Sequence, residues 1–320
     1  VVTTTGLDLD SQSGLDAYQK DYTYRDGFYE DHERQFRGFA EVTVIELGDE
    51  TAPTKLSKHE FFTGGPDGED NDKDGDIDEV SAEYYREEDA LKGMVRALEM
   101  RSESGTLFSR NENTWQVRNL LVNSNGTEVR FAYKTQSDQI IYEGTNSPET
   151  LRSSYFFDDF GNITAEQNHG ALSITGDEAF TMTEYINDTE NWLLGLPKKQ
   201  TLTDSAGNKA SEMLSYYDGP DYMGLGLGQV VKGNLTRQQG WIANTNYVNL
   251  IRSAYDSYGN IIGILDANNN ARSINYDPLL HTFPAHETIE VGNGNPDLTM
   301  TASYNLGLGG MTSSLDFNNR

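Results

Sequence analysis

Asp70, Asp72, Asp74, Asp76 and Asp78 set five carboxylates at alternate positions of one short stretch, Asp70-Asn71-Asp72-Lys73-Asp74-Gly75-Asp76-Ile77-Asp78-Glu79. Oxygen donors at that spacing can converge on one hard cation, and Gly75 at the sixth place permits the sharp turn that convergence needs. In this frame Asp70, Asp72 and Asp74 supply side chains, Asp76 its carbonyl oxygen, and Asp78 binds directly or through water. The expected cofactor is calcium in a structural role, where it would neutralise a cluster that otherwise repels itself. The twelfth position is Ser81, where an EF-hand has a bidentate Glu, so the pattern is a shorter aspartate-rich loop, completed by Glu79 or Glu83. The competing account is a solvated acidic loop, the usual fate of a run of like charges.

Other residue types that could do chemistry lack partners at the spacing chemistry requires. Asp159-Phe160-Gly161 has the form of a kinase triplet, but no glycine-rich phosphate loop or catalytic-loop signature accompanies it. Gly224-Leu225-Gly226-Leu227-Gly228 lacks the strand–helix context of a dinucleotide site and reads as a flexible loop. His281 and His286 stand five apart in a proline-containing segment, a spacing that favours structural roles over a metal site. No Gly-x-Ser-x-Gly elbow occurs. Among 51 acidic residues a glycosidase pair cannot be picked out, since such a pair is defined by separation in space. The expectation is a protein that is not an enzyme.

The elements that would carry these residues are strands and turns. Tyr255-Asp256-Ser257-Tyr258-Gly259-Asn260-Ile261 and Phe157-Asp158-Asp159-Phe160-Gly161-Asn162-Ile163 share one form: aromatic, Asp, two residues, Gly-Asn, apolar. Seven residues after the Gly comes a polar turn residue, Asp266 after Gly259 and Asn168 after Gly161, and Gly309 stands in the same relation to Asp316. Fragments recur at Thr203 to Asn208, Tyr216-Tyr217-Asp218 and Ile274 to Asp277. A unit that ends one strand, turns on Gly-Asn and starts another points to a repetitive β architecture.

Period-two alternation marks strands at Tyr22–Arg25, Ala40–Ile45, Thr114–Arg118, Glu128–Tyr133 and Gln139–Tyr142, with tight turns expected at Asp26-Gly27 and Asn125-Gly126. Residues Glu83 to Leu98 are the best helix candidate, either as one helix interrupted at Gly93 or as a short helix followed by a strand. The expected organisation is a β segment at 1–63, an acidic insertion at 64–82, a mixed helix and strand segment at 83–152 and a hairpin array at 153–320.

Composition agrees with half-buried strands. Hydrophobic residues make up only 36%, yet Tyr (18) and Phe (13) are plentiful, which favours aromatic cross-strand pairs over one thick core. A formal net charge of −27 excludes the basic stripe a nucleic-acid binder needs and disfavours anionic membranes. The absence of cysteine excludes a disulfide scaffold and thiolate chemistry and leaves the compartment open. No apolar run reaches the ~20 residues that span a bilayer. The chain starts Val1-Val2-Thr3 and stops at Asn318-Asn319-Arg320 with a repeat-like unit under way, so it reads as an internal piece of a longer polypeptide.

Taken together these segments resemble the B component of the insecticidal toxin complexes and the virulence-plasmid B proteins, within the RHS/YD-repeat family. The resemblance runs through Tyr24–Tyr29, Glu33–Phe39, Asp89–Gly93 with Arg96, Phe157–Asn162, Trp192–Pro197 and Tyr276–Pro284. It implies a mainly β fold, antiparallel hairpin repeats in a curved, ribbon-like sheet with at most one or two short helices, forming part of an RHS shell. It also implies a bacterial, secreted protein whose partners are an enclosed toxin domain and other toxin-complex components. No segment matches the family's propeller, self-cleaving protease or toxin regions. A cell-surface YD-repeat protein displaying a carbohydrate- or protein-binding surface is the alternative, and an acidic β-rich hydrolase a third reading.

Overall fold

Alternation of side chains forces this chain into strands, and its frequent Gly, Asn and Asp residues end them. A computed structural model describes residues 2–7, 17–31, 34–48, 53–64, 89–124, 126, 128–292, 294–318 and 320. Two compact units divide between Phe180 and Thr181. The first contains β1 (Val2–Leu7), β2 (Ala17–Glu30), β3 (Gln35–Glu46), β4 (Lys55–Phe61), β5 (Val95–Ser102), β6 (Leu107–Val122), β7 (Glu128–Ile141), β8 (Glu149–Phe157) and β9 (Ile163–Ala171). Strand β10 (Ala179–Asp188) crosses the division. The second continues with β11 (Leu193–Asp204), β12 (Lys209–Tyr217), β13 (Leu235–Ala243), β14 (Asn246–Tyr255), β15 (Ile261–Asp266), β16 (Ala271–Tyr276), β17 (Pro284–Ile289), β18 (Leu298–Asn305) and β19 (Gly310–Leu315).

Within each unit every strand pairs antiparallel with the next, from β1 to β9 and from β11 to β19. The mainly β, hairpin-repeat fold expected from the sequence is what forms. Among the described residues neither unit shows a thick core, and the buried apolar side chains there are Phe62, Leu91, Ala97 and Ala171 in the first unit and Leu214, Tyr217 and Ala254 in the second. Stability must come mainly from ladders, cross-strand pairs and turns.

Two local expectations are corrected, and a third is decided between its alternatives. Asp26-Gly27 is not a turn: β2 runs straight through it, paired at Arg25↔Glu41 and Gly27↔Phe39, and the chain reverses between Glu30 and Gln35. Asp26 takes φ 51 inside the strand. A Cβ on Gly27 would stand 3.0 Å from the Phe39 ring and 3.2 Å from that of Phe36, so these rings cover the glycine and hold the strand in place. Glu128–Tyr133 and Gln139–Ile141 are one strand, β7, not two.

The third concerns the helix candidate at 83–98, where the helix-then-strand alternative prevails. Only residues 89–91 are helical among those described there. Gly93 adopts φ 80, which stops the helix, and β5 begins at Val95. Of the expected turn at Asn125-Gly126, Asn125 lies outside the described residues; Gly126 stands between β6 and β7, where its N–H donates to the Asn123 carbonyl at 2.9 Å and φ is 80.

Candidate functional site

The calcium-loop residues Asp70, Asp72, Asp74, Asp76 and Asp78 lie outside the described residues, as do Glu79, Ser81 and Glu83. Among the described residues no group of three or more His, Asp or Glu side chains is placed to hold a metal ion. What the structure does assemble is a repeated aspartate turn and a charged sheet face.

Asp256 ends strand β14. One of its carboxylate oxygens accepts the N–H groups of Tyr258 and Asn260, each at 2.9 Å, and the other accepts the Asn260 side-chain amide at 2.9 Å. The Asp256 N–H donates to the Asn260 carbonyl, and Gly259 takes φ 90. One acidic side chain thus satisfies the backbone of a five-residue reversal. Asp158 repeats the arrangement with Phe160 and Asn162, and Asp204 repeats it with Ala206 and Asn208.

Two further copies stand at Asp266 and Asp316, which the sequence marked only as polar turn residues by their offset from Gly259 and Gly309. Asp266 binds Asn268 and Asn270 identically, with Asn269 at φ 68 where the Asp158, Asp204 and Asp256 copies have glycine. Asp316 accepts from the N–H groups of Asn318 and Arg320. For Asp266 the available signal was Asp followed four residues later by Asn, which is independent of the glycine; Asp316 has Arg320 at that place.

Asp218 and Asp277 anchor longer turns. Asp218 accepts the N–H groups of Val231, Lys232 and Gly233 at one oxygen and of Asn234 at the other. Burial works to raise its pKa, and these four donors outweigh it and hold the carboxyl below its usual range. Asp277 accepts from Leu279, Leu280, Thr282 and Phe283, and those backbone donors depress its pKa strongly.

The glycine cluster at 224–228, expected to be a flexible loop, belongs to the Asp218 turn, with Gly224 and Leu225 packed against the end of β12 and Gly226 to Gly228 exposed. The Leu225 N–H donates to the Tyr217 carbonyl, and a Cβ on Gly224 would meet that of Tyr216 at 2.7 Å. His281 is structural, as its spacing suggested: its ring stacks on Tyr258 at 4.1 Å, and its carbonyl accepts the Asn260 amide.

In the first unit register places Glu41, Lys58, Glu60, Glu99, Arg110, Glu112, Asp138 and Arg152 on one face from β3 to β8. Lys58 bridges Glu41 at 2.9 Å and Glu60 at 3.1 Å, Arg110 joins Glu60, Glu99 and Glu112, and Arg152 pairs with Asp138 at 2.7 Å. The opposite face carries Tyr22, Tyr24, Val42, Val44, Leu98 and Met100.

In the second unit Glu212 is the most enclosed carboxylate of a comparable network. It accepts from Thr201 at 2.8 Å, Lys209 at 2.8 Å and the Tyr247 hydroxyl, with Lys199 at 3.6 Å. Burial pushes its pKa up, but the bonds from Lys209, Tyr247 and Thr201 and the Lys199 charge prevail and hold it at about 2. A carboxylate so saturated is an ionised anchor rather than a general base near neutral pH.

No family model matches the chain, and no curated protein matches it. Solved structures do match. The crystal structure of TcdB2-TccC3-Cdc42 covers 95% of this chain with a TM-score of 0.67 at 14% identity. That of TcdB2-TccC3 covers 95% with a TM-score of 0.67 at 13% identity, and the Photorhabdus luminescens Tc holotoxin pore covers 94% with 0.67 at 14%. The chain has the fold of an RHS shell. It spans about one fifth of the length of those shell chains, 20 to 21%.

Proposed function

We propose that this chain is a wall segment of an RHS-type β-shell that encloses a toxin domain, in a secreted bacterial protein of the toxin-complex kind. Its partners are then the enclosed toxin domain, on the same or an associated chain, and other toxin-complex components. The segment itself is not an enzyme: its carboxylates at Glu212, Asp218, Asp256 and Asp277 are committed to holding strands and turns. The observation that carries the reading is the likeness to toxin-complex shell chains along nearly the whole length, joined to one aspartate turn used again and again.

The test is protection of cargo. The full polypeptide containing this segment is exposed to limited proteolysis, with and without Asp218→Asn and Asp256→Ala in the wall. A shell predicts an enclosed domain that resists digestion in the parent and is cut sooner in the variant. Equal digestion of the enclosed domain in both, at the rate of that domain alone, would overturn the reading.

We also propose that Asp70 to Asp78 bind a calcium ion in a structural role. Isothermal titration of the whole chain with calcium should give saturable heat that disappears in the Asp72→Ala, Asp74→Ala double variant. Absence of heat at millimolar calcium would sink the proposal.

Display of a binding surface is the second reading, and one observation favours it. Turns on the same side of the second unit each present a large apolar side chain: Trp192 (77% exposed), Met223, Tyr258 (66%), Leu279 and Leu308 (86%). Replacing Trp192 and Tyr258 with Ser would abolish retention on immobilised carbohydrate or protein if display is the function, and would leave an enclosing wall unaffected.

A further inference from the structure

One row across strands β12 to β15 sets Tyr216, Arg237, Arg252 and Leu265 opposite one another. Two guanidiniums thus stand on one face as direct cross-strand partners, where like charges cost stability. Other cations of this unit meet carboxylates: Lys198, Lys199, Lys209 and Arg272 do so at 3.2, 3.5, 2.8 and 2.7 Å. Among the described residues Arg237 and Arg252 have no such ion pair. The chain has 51 acidic residues against 24 Lys and Arg, so two uncompensated arginines side by side do not reflect a shortage of acid.

Both side chains rest on neutral groups. The Arg237 guanidinium lies over the Tyr216 ring, 4.0 Å from its centre, which orients the charge without cancelling it. Arg252 donates from one terminal nitrogen to the Asn269 side-chain oxygen. The Nε of each arginine is buried with no hydrogen-bond partner. Among the described residues nothing accepts from the terminal nitrogens of Arg237, or from the second one of Arg252. The adjoining row is neutral as well, with Leu214, Gln239 and Asn249, and the Gln239 amide is engaged by Asn249 at 3.0 Å. Glu212, earlier on β12, is filled by Thr201, Lys209 and Tyr247. Asp266 is held low in pKa first by its Asn270 amide bond and last by the Arg252 charge, and Asn268 and Asn270 fill its oxygens.

We propose that Arg237 and Arg252 form an anion site that takes one oxyanion, a carboxylate or a phosphate group, between their guanidiniums. Directly opposed Cβ atoms stand about 4.5–5.5 Å apart, less than the length of an arginine side chain, so both side chains reach one ligand. Their planar forks suit an acceptor with two oxygens. Such a group satisfies the terminal donors and offsets the mutual repulsion at once. The net charge of −27 repels anions at a distance, so only local charge with directed donors holds one here. The site stands apart from the wall reading and does not depend on it.

The experiment titrates the full chain with sodium phosphate, and separately with a glutamate-rich peptide, in sodium chloride at constant ionic strength. Isothermal titration reads binding, and the nitrogen and proton resonances of the arginine Nε groups locate it. The expected result is saturable binding of at least one probe, weakened about tenfold or more by Arg237→Gln and by Arg252→Gln. Arg272→Gln, whose parent side chain already has Glu287, should leave it unchanged. Saturation by phosphate alone assigns a phosphate group, saturation by the peptide alone assigns a protein carboxylate, and either supports the site. The probe that binds should also raise the urea midpoint of the parent and not that of the Arg237→Gln, Arg252→Gln double variant. If a glutamine variant fails to fold, Arg237→Lys keeps the charge but loses the fork, and should weaken binding in a folded chain. No saturation by either probe at millimolar concentration would overturn the proposal. So would equal binding by parent and double variant, which means an adventitious ion only.

Discussion

The Tyr217 hydroxyl donates to the carbonyl oxygen of Pro197 at 2.9 Å, across to the preceding strand and twenty residues upstream. Tyr255 repeats this on Leu235 at 2.8 Å over the same separation. In both cases the next residue is the aspartate that organises the following turn, Asp218 or Asp256. The Tyr-Asp dipeptide therefore has two directions of action. Tyrosine ties its strand to the one before, and aspartate shapes the chain toward the one after.

Removing the hydroxyl should be costly where the ring is buried. Tyr217→Phe leaves the Pro197 carbonyl without this donor and should lower unfolding free energy by about 1–2 kcal/mol in urea titrations. Burial also pushes the Tyr217 phenol up to about 12. A group raised in the folded state contributes stability that is complete below its unfolded pKa of about 10 and is lost as pH climbs through the folded value. The parent should thus lose stability between about pH 10 and about pH 12, and Tyr217→Phe should lose less over that window.

Acid acts in the opposite sense. The carboxyls of Asp204, Asp218, Asp256, Asp266 and Asp277 are all lowered, and that of Glu212 is held at about 2. Their stabilisation is present above the unfolded carboxyl pKa, about 4, and is lost as pH falls through the folded values. Circular dichroism should show the midpoint in urea decreasing steadily below about pH 4, and Glu212→Gln should flatten part of that slope. A midpoint indifferent to pH between 2 and 4 would contradict these shifts.

The turn glycines separate two kinds of cost. Gly207 lies at φ 81 with open space around a Cβ, so Gly207→Ala should cost only the backbone penalty, about 1–2 kcal/mol. Gly161 has a similar φ of 85 but faces the Phe131 ring at 3.0 Å, and Gly161→Ala should cost more. Asn269 already occupies the equivalent place at φ 68, so Asn269→Gly should lie within about 0.5 kcal/mol of the parent. Denaturation midpoints of the three variants provide the comparison.

Arg110 unites Glu60, Glu99 and Glu112, and its own pKa is raised because these bonds outweigh the effect of burial. Arg110→Met strands half-buried carboxylates and should destabilise by about 3 kcal/mol, with partial recovery in the Glu99→Gln background. A double-mutant cycle in urea measures the coupling.

Much of the sheet is legible locally because alternation is a local property. Tyr22–Arg25 and Ala40–Ile45 announce β2 and β3, and Gly-Asn announces the turns at Asp158, Asp204 and Asp256. Errors arise where distant packing decides. Asp26-Gly27 carries a turn signal, yet Phe36 and Phe39 close over Gly27 and the strand continues. Of the two alternatives for Glu83 to Leu98, only the single long helix fails, because Val95 to Leu98 find a ladder with β4. Asp266 was marked as a turn residue by its offset from Gly259, but its likeness to Asp256 was hidden because Asn269 does the work of glycine, and the Tyr217–Pro197 bond escaped because it depends on register between strands. The candidate metal loop at Asp70–Asp78 was legible as chemistry, and it falls outside the described residues.

The repeated aspartate turn has a consequence for coordination chemistry. At Asp256 two N–H groups occupy one oxygen and an amide the other, and at Asp218 four N–H groups share the carboxylate. A hard cation seeking inner-sphere oxygen would have to strip those donors away and unmake the turn in doing so. Acidic residues spaced along the turns are therefore poor ligands despite their number. They leave these turns strongly anionic to a distant ion and closed to one that arrives.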